Sequence, residues 1–421
     1  MADNKRPLVL YGAGNRALTE IAVLKNKGLN PVCVCDVDAN KHDTLYLGLE
    51  VLSLDRTRER YGEFDIYVTP TEKGEIFEYL LAHKINKERI VNYIAMEKYL
   101  SCLHLEYHLS IMQFQLFFCC SMSDEMKKNT PSYIWFNDPK NVTIEYAVSR
   151  WIELRYNAIH ALKNGIPSKC DGCSSLTEDW WPIEKKVETV HYCFCNEPCQ
   201  LRCVYCNSTK KTINEYQRQF MEEFDYKRFV KALEEQRLLT DETCFNIASG
   251  EISINPRKNE ILSAIEKYRL MLDTNAVVFD KQIAELASRP GSSLCISLDA
   301  GTRETYNKIK GMDVFITVCE NIKRYANCGA KIYIKYIVLP QNCEDIDIHG
   351  FMNEVLKIKN NVSCLILSSD IHKTSSHSDE QINGAAKLIS AAKQFGINTT
   401  IYPTYTSTEI KNINLIAESF T

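Results

Sequence analysis

Residues 199–206 read Cys199-Gln200-Leu201-Arg202-Cys203-Val204-Tyr205-Cys206. Three residues separate the first two cysteines and two residues separate the second pair, with an aromatic just before the last. Cysteine thiolates are the ligands that hold iron–sulfur clusters, and a [4Fe–4S] cluster has four corners. Three close-set ligands therefore leave one iron with no protein donor. Zinc is the other metal that gathers cysteines, but it takes four ligands, commonly in paired C-x2-C form. The spacing here is not that.

Around this run the chain alternates between strand and helix patterns. From about Val187 six strand–helix units are expected, with strands at 187–195, 243–248, 269–274, 294–298, 331–338 and 362–367. Amphipathic segments such as Tyr226–Leu238, Val314–Ala326 and Gln381–Phe395 separate them. In α/β barrels the chemistry sits at the carboxyl ends of the strands. Polar residues occupy those ends here: Ser249-Gly250-Glu251, then Asn275, then Ser297 and Asp299, then Lys335, then Ser368-Ser369-Asp370.

The cysteine run, followed by these strand ends in this order, resembles the signature of the radical SAM enzymes over roughly residues 187–370. The resemblance implies a partial (β/α)6 TIM-like barrel and a [4Fe–4S] cluster on Cys199, Cys203 and Cys206. It further implies S-adenosylmethionine (SAM) chelated at the open iron through its amino and carboxylate groups. Ser249-Gly250-Glu251 is similar to the family's Gly-Gly-Glu, with serine in the first place. Glycine lets backbone approach the cofactor, and Glu251 would accept a charge-assisted hydrogen bond from the SAM ammonium. Ser297-Leu298-Asp299, with Gly301, Tyr306 and Gly311 behind it, follows a family cadence interrupted by Ala300. By the same resemblance Tyr205 would lie against adenine, and Asn275, Ser297, Asp299 and Lys335 would face cofactor or substrate. Ser297 and Asp299 are expected on one face of their strand. An electron from flavodoxin or ferredoxin would cleave SAM to methionine and a 5′-deoxyadenosyl radical, which would abstract hydrogen from substrate.

Four other cysteines form two pairs. Cys170 and Cys173 make a C-x2-C knuckle, and Cys193 and Cys195 stand two apart in the first barrel strand, so their thiols point to one side. Together they could hold a second [4Fe–4S] cluster or zinc. The alternative is that Cys193 and Cys195 are buried small hydrophobes.

Residues 1–95 read as a small Rossmann-like parallel sheet. The strand Pro7–Tyr11 leads through Gly12 and Gly14 into a helix, which is the context of a dinucleotide fingerprint. Asp36 ends the second strand, where an acid could hold a ribose hydroxyl. Further strands are expected at Asp65–Thr69 and Arg89–Tyr93. This module resembles nucleotide-binding-type domains of polysaccharide- and sugar-modifying proteins, and a nucleotide ligand or a purely structural role are both open. Residues 96–168 are expected to be a helical linking region, and 169–421 the barrel.

The 421 residues include 18 cysteines and carry a net charge of −4. That balance offers no basic field for nucleic acid or an anionic membrane. The longest apolar run, Leu109 to Cys120, is broken by Gln113 and Gln115 and too short to span a bilayer. The opening residues lack a signal-peptide layout, so a cytoplasmic setting with reduced thiols is expected. The reading is a radical SAM enzyme acting on a sugar, nucleotide sugar or small metabolite. A peptide-modifying maturase and a non-enzymatic zinc-binding interaction protein are the alternatives.

Overall fold

The structure is a computed structural model that describes residues 6–26, 28–70, 73–112, 115–118, 143–193, 198–206, 222–248, 250–370, 377–402 and 404–420. Two compact units are built from interleaved stretches of chain. One holds residues 1–107 and 154–186, the other 108–153 and 187–421.

The first unit contains the strands β1 (Leu8–Tyr11), β2 (Pro31–Cys35), β3 (Leu45–Tyr46), β4 (Leu49–Leu52) and β5 (Asp65–Val68). They form one sheet in the order β3-β4-β2-β1-β5, parallel throughout except for the β3–β4 hairpin. Val9, Tyr11, Cys33, Ile66 and Val68 are buried on one face; Leu8, Leu10, Val34 and Val51 are buried on the other. A sheet covered on both faces explains why these strands are continuous apolar runs rather than alternating ones. Where a strand was expected at Arg89–Tyr93, the chain makes a 3-10 turn at Lys87–Arg89 and a single bridge from Ile90 to Ile66.

Among the described residues of 96–168, expected to be helical, helices span Leu103–Tyr107 and Ile144–Lys163. Before, between and after them lie β6 (Met96–Ser101), β7 (His108–Met112), β8 (Gln115–Phe117) and β9 (Thr177–Pro182). β6 pairs antiparallel with β9, from Met96 opposite Pro182 to Ser101 opposite Thr177. No local pattern announces a strand whose partner is so distant in the chain, and tertiary pairing overrides local propensity. Behind β6, the fully buried Glu106 accepts hydrogen bonds from Tyr99, Ser101 and Lys185, which satisfy its charge.

The second unit holds the remaining strands: β10 (Thr189–Cys193), β11 (Cys244–Ile247), β12 (Arg269–Thr274), β13 (Ser293–Ser297), β14 (Ile332–Ile337), β15 (Val362–Ser368) and β16 (Thr399–Ile401). The sheet order is β16-β15-β14-β13-β12-β11-β10-β7-β8, and only β7–β8 is antiparallel. β10 to β15 are the six expected strands, each followed by its helix or loop, in the arrangement of a partial (β/α)6 barrel. β16 extends one edge; β7 and β8 extend the other.

Burial alternates along these strands. Leu270, Leu272 and Thr274 of β12 are buried, whereas Met271 and Asp273 between them are partly open, and β14 repeats this with Tyr333 and Lys335. The pairing register aligns partly open positions, His191 with Asn246, Asn246 with Met271 and Ser297 with Lys335, and sets Asp273 beside the buried Cys295. Period-two alternation thus gives the sheet an apolar face under the helices and a polar concave face.

Helix starts are marked by side-chain caps: Asp225 accepts from the Arg228 N–H, Thr302 from Thr305, and Ser378 and Thr406 form capping boxes with Gln381 and Glu409. Gly301 is packed so closely under the helix Asp345–Leu356 that a Cβ there would overlap the Asp347 carbonyl. Among the described residues no helix is long and apolar enough to cross a membrane.

Candidate active site

The stretch Pro198–Cys206 follows β10 and is docked on the helix Arg303–Lys310. The Arg202 N–H donates to the Lys310 carbonyl at 2.8 Å and the Val204 N–H to the Ile309 carbonyl at 2.9 Å. The last carbonyls of a helix lack intrahelical partners, and the cysteine run supplies them. Gly311 ends that helix at φ +69°, and a side chain there would strike Arg202 at 2.9 Å, so glycine is required on both counts.

Cys199, Cys203 and Cys206 are all half-buried and none is in a disulfide. Burial pushes the Cys199 and Cys203 thiols up, with Cys206 a neighbouring charge for Cys199 and Cys199 one for Cys203. The Asn275 amide donates to the Cys199 sulfur at 3.6 Å. Among the described residues no three His, Cys, Asp or Glu converge as the ligands of a single ion do. A [4Fe–4S] cluster takes one thiolate at each of separate corners, so three neighbouring thiols on one loop fit it better than they fit zinc. Loading releases the thiol protons.

Beside the run lies a buried charged network. Lys310 and Asp299 form an ion pair at 2.5 Å with side chains 1% and 0% exposed. The Tyr205 hydroxyl donates to Asp299 at 2.6 Å and accepts from Lys310 at 2.7 Å. Asp299 takes the Ile337 N–H on its other oxygen, and its carbonyl accepts from Asn342. Asp299 therefore does not share an open face with Ser297. It sits at φ +55° beyond the end of β13, fully buried, with both carboxylate oxygens filled. Ser297 gives its carbonyl to Lys310. The Tyr205 ring packs against Ile309, Ile337 and Leu339.

Sequence reading passed over Lys310. Its signal was the spacing: Tyr306, Ile309 and Lys310 stand three and four apart and share the buried side of one helix.

Glu251 is 1% exposed. Its carboxylate accepts from the Ser253 N–H and hydroxyl, the Thr274 hydroxyl at 3.0 Å and the Asn275 N–H at 2.7 Å. Burial pushes its carboxyl up against the pull of those donors. Its own N–H donates to the Pro198 carbonyl at 2.9 Å, next to Cys199. Gly250, at φ +64°, makes the turn; Ser249 lies outside the described residues. On the concave face Asp273 is pushed up by burial, with Lys335 pulling against it and the Cys295 thiol donating to it. The Lys335 ammonium stands 5.7 Å above the Tyr402 ring.

Cys170 and Cys173 form a turn in the first unit, closed by the Cys173 N–H to the Cys170 carbonyl, while Cys193 ends β10 in the second. Cys195 lies outside the described residues.

Gly12 and Gly14 do follow β1. Gly12 has φ +100°, and a side chain there would meet Pro70 at 2.8 Å. Asp36 accepts the Ala13 N–H at 2.7 Å, the Asp38 N–H at 2.9 Å and the Lys41 ammonium at 3.1 Å. Its carboxylate is spent on its own loop and on the turn that follows β1.

No curated protein sequence matches the chain significantly. The model of the Radical SAM superfamily matches residues 196–351. Among solved structures, SuiB of Streptococcus suis aligns with a TM-score of 0.40 at 14% identity, over 66% of this chain and 58% of that one. A radical SAM methyltransferase from Sphaerobacter thermophilus aligns at 0.35 and 18% identity, over 49% of this chain and 64% of that one. In both cases the chain spans less than two thirds of the other protein, and neither likeness carries an argument about activity. The family match falls on the cysteine run and on the strand ends from Glu251 to Lys335 described above: residues 196–351 form a radical SAM domain.

Proposed function

We propose that the domain binds its cluster through Cys199, Cys203 and Cys206 and uses it to start radical chemistry on a small polar metabolite, a sugar or nucleotide sugar by class. The observation that carries this reading is the presentation of three unbridged thiols on one loop at the carboxyl end of β10, docked on a helix end by backbone hydrogen bonds. When bound, the cluster and SAM supply one-electron cleavage of the sulfonium and a 5′-deoxyadenosyl radical that takes a hydrogen atom from a C–H bond. A reduced flavodoxin or ferredoxin is the electron donor.

The chain's own residues do the rest. The Lys310–Asp299–Tyr205 network fixes the cysteine loop, and Glu251 ties Pro198 to Asn275. On the concave face Asp273, Lys335 and Asn246 present hydrogen-bonding groups, and the buried side-chain oxygen of Asn246 has no hydrogen-bond partner among the described residues. Such a lining suits a hydroxyl-bearing substrate. The helices on the opposite face keep water from the apolar side of the sheet.

The test is metal content after anaerobic reconstitution, with SAM cleavage read as 5′-deoxyadenosine. About four irons per chain are expected, falling to none in the Cys199→Ala/Cys203→Ala/Cys206→Ala variant, together with complete loss of cleavage. A colourless zinc protein without iron would overturn the reading. Faster cleavage with nucleotide sugars than with short peptides is the expected substrate response, and the reverse order would make the domain a peptide-modifying enzyme.

A further inference from the structure

We propose that Asn275 is a positioning residue for the cluster ligand Cys199, and that its amide hydrogen bond to the ligand sulfur raises the potential at which the cluster accepts its electron. This rests on the cluster assignment above but adds a role through the ligand, not through SAM.

The amide cannot be turned the other way without loss. Its oxygen accepts the Val277 N–H at 2.9 Å, which leaves the NH2 end facing the Cys199 sulfur at 3.6 Å and Gln200 at 3.3 Å. The assignment of an amide's two ends follows from such a network. The turn that aims it is held from several sides. Ala276 adopts φ +55°, a left-handed conformation that is unfavourable for alanine and persists only where the surroundings impose it. Here the Ala276 N–H donates to the Thr274 hydroxyl, and the buried Asn321 amide donates to both the Ala276 and Val277 carbonyls at 3.0 Å. Glu251 closes the frame: its carboxylate receives the Asn275 N–H and its own N–H holds Pro198, one residue before Cys199. Donor and sulfur are thus fixed relative to each other by one buried residue, Glu251, through its carboxylate and its own N–H.

Reduction adds an electron to the cluster and its thiolates. A donor at a ligand sulfur stabilises the more negative state, and hydrogen bonds to the sulfurs are among the factors that set cluster potentials. Removing this one donor is expected to shift the balance of reduced to oxidised cluster about tenfold toward oxidised, which for one electron is about 59 mV more negative.

The experiment is a redox titration of the reconstituted full chain, followed by electron paramagnetic resonance, on wild type, Asn275→Ala and Asn275→Asp. The aspartate is isosteric and keeps the acceptor for Val277, so it guards against an alanine variant that fails to fold. Expected are about four irons per chain in all three, with lower potentials in both variants, lowest in Asn275→Asp. Unchanged potentials in loaded variants would overturn the inference and leave the cluster assignment standing. A wild type that takes up no iron would overturn both.

Discussion

Two buried carboxylates, each just beyond a strand of a parallel sheet, were both candidates for a ligand contact, and the structure gives them different work. Asp36 follows β2 in the first unit and spends its oxygens on backbone N–H groups of Ala13 and Asp38 and on Lys41, which is 40% exposed. Asp299 follows β13 in the second unit and is paired with a lysine that is almost wholly buried, beside the cysteine loop. One acid ties its own turn to the turn after β1. The other anchors a neighbouring loop that carries thiols. An acid at a strand end is therefore weak evidence of a ligand, and what matters is whether its lone pairs are already filled and by what.

Breaking the Asp299 side of this comparison has the larger expected effect. Lys310→Met keeps length and bulk but leaves a buried carboxylate without its cation, which costs about 3–5 kcal/mol. Urea denaturation should register that loss, and iron retention should fall with it because the Tyr205 hydroxyl loses a partner. The Lys310→Met/Asp299→Asn double variant should recover part of the stability. A single variant as stable as wild type would mean the pair is not buried as described.

Asp36→Asn should cost about 1–3 kcal/mol, since one acceptor for backbone donors becomes an NH2 group. Burial pushes the Asp36 carboxyl up, but the Ala13 and Asp38 N–H groups and Lys41 outweigh it and hold it below the usual carboxylate range. A depressed folded value means stability present above the unfolded value of about 3.9 and lost as pH falls through the folded one. Hydrogen exchange at residues 8–36 should accelerate in wild type below about pH 4, and the Asn variant should lack that acid limb. Iron content should not change. A loss of iron would tie the first unit to the cluster.

Much of the second unit was legible because its signals are local. The cysteine spacing lies within eight residues, and β10 to β15 are each bounded by apolar patterning and polar ends. What escaped depends on partners far along the chain. β6 becomes a strand because β9 pairs with it, and β7 because it lies parallel to β10. Asp299 was read as open because strand alternation says nothing of Lys310 folding back from the next helix. Asp36 matched a fingerprint position, yet its oxygens are filled by its near neighbours Asp38 and Lys41 and by the distant Ala13, and that closure was visible only as three-dimensional geometry.

The lower end of the scale is an exposed pair in the second unit. Arg228 donates to both oxygens of Glu145 at 2.7 and 2.8 Å, with side chains 51% and 44% exposed. The guanidinium holds the Glu145 carboxyl down at about 2. Because the folded value is depressed, the pair contributes above the unfolded glutamate value of about 4.3 and fades as pH drops toward the folded one. Solvent screens such a pair, so Arg228→Ala should leave the urea midpoint almost unmoved at neutral pH, against the large shift expected for Lys310→Met. Added salt should shrink the difference further, since exposed charges are screened within about 10 Å at 0.1 M. If urea denaturation put Arg228→Ala on a par with Lys310→Met, burial would not be what separates these carboxylates, and the contrast between Asp36 and Asp299 would need a different physical basis.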